Sequence, residues 1–436
     1  MKVMKFGGTS VGTVESINSV RNIVAGEQAE LVVVVSALGG ITNLLIKTAN
    51  DAVAGGYEEG LSEIRKRHES VMSGVLPGGA DDVKTKIGGL LSELATEYEQ
   101  IKEAGKVAVE ALDRVVSFGE RMSSVIMAAV VGAKHVDSLE LIKTHANWDK
   151  NVPDMPLTNK LIEENVDTKK NRIVLCGGFI STDADSGRIT NLGRGGSDYT
   201  AAIIAAALSA EQLEIWTDVD GFMTADPRVI SKAYVIDRLS FVEAMELCNF
   251  GAKVVYPPTI FPVYHKNIPI LIKNTFNPSA PGTFISRGKD DGANSIKGIS
   301  SIDDAALVTM LGMGMVGVTG VSKRLYGALA DNGISVFFIS QAASENTISL
   351  GVKNAEADKA VEIISKEFAH ELAVGEINEV KCEKDLATVA VVGDRMKRIP
   401  GISGKLFGTL GSNGINVIAI AQGASETNIS FVIKKE

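Results

Sequence analysis

The sequence predicts an α/β protein: a mostly parallel sheet covered by helices on both faces, followed by a smaller α+β module present in two copies. Three observations carry this. Over residues 1–290, short β-branched runs bounded by Gly or Ser alternate with helix-like stretches, the pattern of a buried parallel sheet. Near Ser286 the composition changes. Ser286-Arg287-Gly288-Lys289-Asp290-Asp291-Gly292-Ala293-Asn294-Ser295 is polar, Gly-rich and without periodicity, and reads as a linker at a domain boundary. Beyond it the chain repeats itself at an offset of 81 residues.

The elements follow in order. A strand over residues 2–4 leads into Lys5-Phe6-Gly7-Gly8-Thr9-Ser10. A second, residues 31–35, leads into Ser36-Ala37-Leu38-Gly39-Gly40-Ile41-Thr42-Asn43. Residues 42–113 intersperse charged side chains among Leu and Val and read as a helical excursion above the sheet. A strand over residues 172–175 comes next. Then Gly193-Arg194-Gly195-Gly196-Ser197-Asp198 opens an Ala-rich helix over residues 199–208. Residues 214–216 and 268–272 complete the strands.

In the repeat, Gly320-Val321-Ser322 aligns with Gly401-Ile402-Ser403, Leu325-Tyr326-Gly327 with Leu406-Phe407-Gly408, and Asn332-Gly333-Ile334-Ser335-Val336 with Asn413-Gly414-Ile415-Asn416-Val417. Gln341-Ala342-Ala343-Ser344-Glu345 aligns with Gln422-Gly423-Ala424-Ser425-Glu426, all without a gap. Each copy reads as a Gly-capped helix and two strands; in the first these are residues 322–331, 334–339 and 346–352. A unit this small buries little alone, so two copies should pack together, within a chain or between chains.

Charge and cysteine content bound the function. The 44 basic and 53 acidic side chains give a net charge of -9, which argues against a general nucleic-acid binder while leaving room for a local basic pocket. The N-terminal residues lack the apolar segment of a signal peptide, and no apolar run approaches the ~20 residues that span a bilayer. Cys176, Cys248 and Cys382 are odd in number and far apart, neither a disulfide framework nor a C-x-x-C pair. They read as three buried, inert thiols in a reducing cytoplasm.

The chemistry gathers at the three Gly-rich loops. Adjacent glycines let backbone N–H groups approach an anion, and a helix N-terminus adds aligned donors. Three such loops at strand ends of an open α/β sheet mark the usual ligand edge. None is G-x-G-x-x-G or G-x-x-x-x-G-K-[ST], which counts against a dinucleotide dehydrogenase or a Walker ATPase. Lys5 stands where a phosphate-neutralising lysine should, and Arg194 can grip a carboxylate with two parallel hydrogen bonds. Glu120, in Phe118-Gly119-Glu120-Arg121, could hold an ammonium group, and Asp198 sits one turn into a Gly-initiated helix. Trp216-Thr217-Asp218-Val219-Asp220-Gly221, running on to Asp226-Pro227-Arg228, suits a nucleoside edge; for Trp216 core packing is an equal reading. His135 and His145 stand outside these motifs and read as structural.

Taken together, Lys5-Phe6-Gly7-Gly8-Thr9-Ser10-Val11, Ser36, Gly40-Ile41-Thr42-Asn43, Phe118-Gly119-Glu120-Arg121, Gly177-Gly178-Phe179, the run from Gly193 to Tyr199, Trp216 to Gly221, Asp226-Pro227-Arg228 and Gly251-Ala252-Lys253-Val254 resemble the aspartokinases in order and spacing over essentially the whole chain. The resemblance implies a three-layer αβα amino-acid kinase (carbamate kinase-like) domain over residues 1–287. It also implies two α+β, ferredoxin-like ACT repeats, residues 299–380 and 381–436, intertwined with each other. The activity it implies is ATP-dependent phosphorylation of the aspartate side-chain carboxylate, the first step towards lysine, threonine and methionine.

It further implies residue roles. Lys5 would neutralise the transferring phosphoryl group. Glu120 would hold the substrate ammonium, and Arg194 with Ser197 its α-carboxylate, with Thr42 and Phe179 lining that pocket. Gly7, Gly8, Ser36, Thr217, Asp218, Arg228, Lys253 and Val254 would border the nucleotide, and Asp198 would organise the active-site lysine. Two positions depart from the family pattern: Met223 stands where Tyr is frequent, and Tyr256 where many members have His. A carboxylate is ionised at neutral pH and needs no general base, so the motifs' lack of His fits the chemistry. No metal cage is visible, and Mg²⁺ would ride mainly on the nucleotide phosphates.

In the repeats, Gln341, Ser344, Glu345 and Gln422, with Ser425 and Glu426, would contact an amino-acid effector, lysine or threonine. The Gln-x-x-Ser-Glu form resembles threonine-sensitive aspartokinases, including those fused to homoserine dehydrogenase. The sequence ends at Glu436, just after the last repeat strand, and the reading expects no dehydrogenase part. A homodimer or larger homo-oligomer through the ACT repeats is expected, with no nucleic-acid or membrane partner. The rival readings are a glutamate kinase-like enzyme of the same fold and a catalytically silent ACT-based amino-acid sensor.

Overall fold

Leu31-Val32-Val33-Val34-Val35 is apolar at every position and buried at every position, because a parallel strand covered on both faces has no solvent side to mark with polar residues. In the computed structural model this strand lies inside an eight-stranded sheet. The structure describes the 436 residues except Pro77, Gly79, Trp148, Asp149, Lys253, residues 289–294, Arg395, Lys397, Arg398, residues 423–426 and Glu436. The strands are β1 (Lys2–Phe6), β2 (Leu31–Val35), β3 (Lys134–His135), β4 (Ile173–Gly177), β5 (Gln212–Thr217), β6 (Arg238–Ser240), β7 (Ile270–Asn274) and β8 (Thr283–Ser286). Their order is β6-β8-β7-β5-β1-β2-β4-β3, parallel throughout except between β7 and β8.

β1 sits in the middle, with Lys5 beside Val34 of β2 and Ile215 of β5. The strand therefore continues two residues beyond the 2–4 expected, because both neighbours supply ladder partners as far as Phe6. Because β1, β2, β4 and β5 are parallel, their following loops all leave from one edge of the sheet.

The helical excursion is real and longer than expected. It comprises α2 (Ile41–Val53), α3 (Glu58–Val75), α4 (Asp81–Ala104) and α5 (Val109–Val131), after α1 (Val14–Gly26). α6 (Gly196–Ala207) begins three residues before the predicted 199, so Ser197 and Asp198 belong to its first turn. A second, four-stranded sheet (Lys143–Asn147, Lys150–Pro153, Ile180–Asp183, Ile189–Asn191) is not visible in the sequence pattern, because its strands are short and polar. Of the three cysteines, Cys176 is buried, and burial pushes its thiol up to about 11. Cys248 and Cys382 are only partly buried, contrary to the expectation.

The chain divides into two compact units. The first is Met1–Phe222, Val235–Phe241 and Lys253–Asp290; the second is Met223–Tyr234, Val242–Ala252 and Asp291–Glu436. The second unit is built on one six-stranded antiparallel sheet. Its strands are β9 (Gly298–Leu311), β10 (Phe338–Gln341), β11 (Thr347–Val352), β12 (Glu379–Val392), β13 (Ala419–Ala421) and β14 (Asn428–Lys434), in the order β10-β11-β9-β12-β14-β13. β9 and β12, β10 and β13, and β11 and β14 all start 81 residues apart, as do the helices α7 (Val321–Asp331) and α8 (Ile402–Ser412). The two copies thus pack within one chain and join through the central β9–β12 pair.

The strand expected over 334–339 starts only at Phe338. Ile334 N–H instead bonds Leu329 C=O, finishing the helix C-terminus, and ladder pairing begins with Phe337 N–H on Gly351 C=O.

Candidate active site

The site is assembled where β1, β2 and β4 end. Lys5 is the fourth residue of β1, buried at 9% exposure, and its Nζ lies 2.6 Å from Asp198 Oδ1. The two groups are in charge contact without the alignment of a hydrogen bond. Asp198 is delivered by the first turn of α6. Gly195, at φ +69°, caps that helix, and a Cβ there would stand 2.2 Å from Tyr256 Cβ. Only glycine meets both demands.

Glu120 comes from the buried face of α5 and is 4% exposed. Its Oε1 accepts a hydrogen bond from the Ala37 N–H at 3.0 Å, in the loop after β2. Its Oε2 is buried without a partner among the described residues. Burial pushes this carboxyl up to about 8, with the Ala37 and Glu120 amides and the Lys5 charge pulling the other way. An orphaned buried carboxylate oxygen is costly unless something binds it, and a cation is what it lacks.

The walls are held from outside. Ser123 Oγ donates to Ser36 C=O at 2.7 Å, and Arg67 donates to Gly39 C=O at 2.5 Å. Phe179 adopts a left-handed backbone, φ +67°. Its N–H donates to Thr200 Oγ1 at 3.0 Å and its C=O accepts from the Leu192 N–H at 2.9 Å. These bonds maintain a conformation that costs a non-glycine residue about 1–3 kcal/mol. Gly178 is equally constrained, since a Cβ there would meet Ser197 Cα at 2.6 Å.

The result is one cavity of about 690 Å³, large enough for a small substrate beside a phosphate chain. Of the residues expected at the site, Lys5, Gly8, Ser36, Thr42, Glu120, Phe179, Arg194, Ser197 and Asp198 line it together. Arg194 is exposed and makes no hydrogen bond or ion pair among the described residues, so its guanidinium is free to take a carboxylate.

The remaining nucleotide-side expectations lie elsewhere. Gly7 donates its N–H to Trp216 C=O at 3.1 Å. Thr217 ends β5 and its hydroxyl donates to Asp218 Oδ1 at 3.3 Å. Val254 is partly buried in the first unit. Arg228 belongs to the second unit, where it pairs with Asp226 at 2.7 Å. Lys253 falls outside the described residues. Trp216 takes the packing reading: it is buried, stacks on Phe6 at 5.9 Å and donates to Glu214 at 3.0 Å.

Sequence reasoning missed Asp113 and Asn191, which also line the cavity, and Tyr256, which wedges against Gly195. Asp113 carried a readable signal: it stands seven residues, about two helical turns, before Glu120 and so shares its face. Neither His135 nor His145 lines the cavity; the first meets Ser124 at 3.0 Å and the second bridges Asp154 and Asp185. Among the described residues no group of three or more His, Cys, Asp or Glu could hold a metal ion, and no helix is long and apolar enough to cross a membrane.

In the second unit, Gln341 ends β10 and is exposed, and Gln422 follows β13 and is exposed. Ser340 Oγ donates to Ile420 C=O at 2.9 Å and ties the two strands together. Ser344 donates to Asn346 Oδ1 at 2.7 Å, and Glu345 accepts from the Gly317 N–H at 2.9 Å. Ser425 and Glu426 lie outside the described residues.

Comparison with known proteins gives a consistent result. Residues 1–274 match the amino acid kinase family, and residues 308–368 and 389–436 match an ACT domain. The chain is 36% identical over 453 aligned residues to the bifunctional aspartokinase/homoserine dehydrogenase 1, chloroplastic, of Arabidopsis thaliana, covering 100% of this chain and 49% of that protein. It is 32% identical over 441 residues to the lysine-sensitive aspartokinase 3 of Escherichia coli (strain K12), covering 100% and 96%. The crystal structure of E. coli aspartokinase III in complex with aspartate and ADP superposes with a TM-score of 0.85 at 30% identity, covering 100% and 96%. The chain spans about half the length of the bifunctional relatives it matches.

Proposed function

The chain belongs to the amino acid kinase family, and on that premise we propose that it is an aspartate kinase, transferring the γ-phosphoryl group of ATP to the side-chain carboxylate of L-aspartate. One observation carries the reading. One cavity gathers a Glu120 carboxylate oxygen and an Arg194 guanidinium, both without a partner among the described residues, and a buried lysine, Lys5, held by Asp198. These are the counter-charges of an α-ammonium, an α-carboxylate and a phosphate.

In this scheme Glu120 takes the substrate ammonium and Arg194 with Ser197 takes the α-carboxylate, while Thr42 and Phe179 fix the side chain between them. The second carboxylate then faces Lys5. It is already ionised, so attack on phosphorus needs no proton removed; it needs two anions held in line and their repulsion offset. Lys5 has N–H donors to spare beyond Asp198, and the Gly8 and Ser36 loops offer backbone amides. Asp198 keeps the ammonium pointed at the reacting oxygens. Thr217, Asp218, Lys253 and Val254 would border the nucleotide, together with Gly7. Mg²⁺, carried mainly by the phosphates, would spread their charge.

Regulation belongs to this reading. Residues 299–380 and 381–436 would act as two ACT repeats on a catalytic part of residues 1–287. They would bind lysine or threonine through Gln341, Ser344, Glu345 and Gln422 and pair with another copy. The odd number and wide spacing of the cysteines in the sequence support a cytoplasmic setting.

The test is ATP-dependent ADP release by the effector-free protein against a panel of aspartate, glutamate and other amino acids. Release that requires aspartate supports the reading. Preference for glutamate would favour another kinase of this fold, and a folded protein that releases no ADP with any of them would be the silent sensor.

A further inference from the structure

Arg194 can serve an acidic substrate only if its loop holds one place, yet the loop is built from residues that resist being held. Gly193 and Gly195 flank Arg194, both with left-handed backbones at φ +70° and +69°. Arg194 itself is exposed and makes no hydrogen bond or ion pair among the described residues. The Gly196 N–H donates to the Gly193 C=O at 3.0 Å within the loop, and a side-chain restraint comes from Asn191, the last residue of the side-sheet strand before it. Asn191 Oδ1 accepts a hydrogen bond from the Gly193 N–H at 2.9 Å. Asn191 Nδ2 donates to Asp113 Oδ1 at 2.6 Å, and the Asn191 C=O accepts from Asn151 Nδ2 at 3.0 Å.

Asp113 is half-buried on α5, where Asp113, Val116 and Glu120 all face the cavity. Among the described residues no lysine or arginine makes a hydrogen bond or ion pair with its carboxylate. Burial and the Glu110 charge work against its ionised form while the Arg188 and Arg114 charges favour it, and an acidic side chain in a cavity meant for an acidic substrate would by its own charge oppose binding. Its short bond to Asn191 gives it a different task.

We propose that Asp113 and Asn191 are positioning residues: Asp113 fixes the Asn191 amide, Asn191 fixes the Gly193 N–H, and the chain of bonds sets the Arg194 loop against the substrate's α-carboxylate. α5 then registers both ends of the substrate, its ammonium directly through Glu120 and its carboxylate indirectly through Asp113. The inference rests on the aspartate kinase reading for the identity of the substrate, but the bond chain itself does not.

The experiment compares Asp113→Ala and Asp113→Asn with the unaltered protein by steady-state kinetics and by amide hydrogen exchange of the ligand-free protein. Positioning predicts that Asp113→Ala raises KM for aspartate about tenfold while kcat and KM for ATP stay within about twofold. Asp113→Asn, whose amide oxygen can still accept from Asn191, should recover most of the loss. In the same Ala variant, exchange over residues 193–196 should quicken while α5 and the central sheet keep their protection. A tighter KM for aspartate on removing the charge would overturn the proposal, as would equal loss in both variants or a fall in kcat alone. If the unaltered protein proves inactive with aspartate, the function reading fails and exchange decides alone: unchanged protection over 193–196 in Asp113→Ala would overturn the positioning role, and faster exchange there would sustain it.

Discussion

At the scale of the residue, Glu120 makes the sharpest prediction. With its carboxyl pushed up to about 8 by burial, only about a tenth is ionised at pH 7, and an ammonium needs the ionised form. The groups facing it are the Ala37 amide and Lys5, both favouring ionisation but outweighed by burial. Aspartate affinity should therefore rise about fivefold between pH 7 and 8, measured by calorimetry, and Glu120→Gln should bind weakly with no such rise. The same raised value has a cost in the free protein. The folded state holds this proton more tightly than the unfolded chain, so its stabilising effect is complete below about 4.5 and is lost as the pH rises through about 8. Lys5→Ala should lower kcat by at least about 100-fold with the fold retained, read by turnover and circular dichroism; near-normal turnover would remove Lys5 from its role. Glu120, Lys5 and Arg194 could be picked out from residue type beside glycine loops. Asp113 and Asn191 could not be tied to the loop, because their link is a hydrogen bond between residues 78 apart.

At the scale of the element, the strands that read clearly are those whose physics leaves one option. β2 is apolar at every position because both faces are covered, and no other element suits such a run between Gly and Ser punctuation. The polar side sheet escaped because short strands with few apolar residues carry no period-two signal. The start of α6 was placed late because its first turn is Gly-Ser-Asp, which reads as loop until Gly195 is seen capping it. That cap is testable. Gly195→Ala places a Cβ into Tyr256 at a left-handed backbone position and should cost about 1–3 kcal/mol in denaturant unfolding. Gly7→Ala is the control. Its Cβ would find ordinary contacts, 3.5 Å from Lys5 Nζ and 3.7 Å from Trp216 C=O, and stability should change by less than about 1 kcal/mol.

At the scale of the whole molecule, the repeat announced itself because the aligned residues carry turn glycines and capping positions at constant register. The central β9–β12 pair lay outside the aligned segment, and its two sequences differ, so the sharing of one sheet by both copies was visible only in the fold. Joining β10 to β13 through Ser340 and Ile420 brings together the strand that ends in Gln341 and the strand that Gln422 follows, which suits control by a small ligand with differential affinity for two arrangements. Gln341→Ala should weaken inhibition by lysine or threonine at least about threefold while leaving the uninhibited rate within twofold, as initial-rate titrations would show. Inhibition unchanged in that variant would move the contact towards Gln422.

The central claim is that Lys5, Glu120 and Arg194 bring a side-chain carboxylate and a γ-phosphate together in one cavity. Trapping the acyl phosphate with hydroxylamine during turnover with ATP and aspartate tests it directly. The account predicts the aspartate β-hydroxamate in step with ADP, abolished by Lys5→Ala; ADP formed with no hydroxamate, or a full yield from the lysine variant, would contradict it.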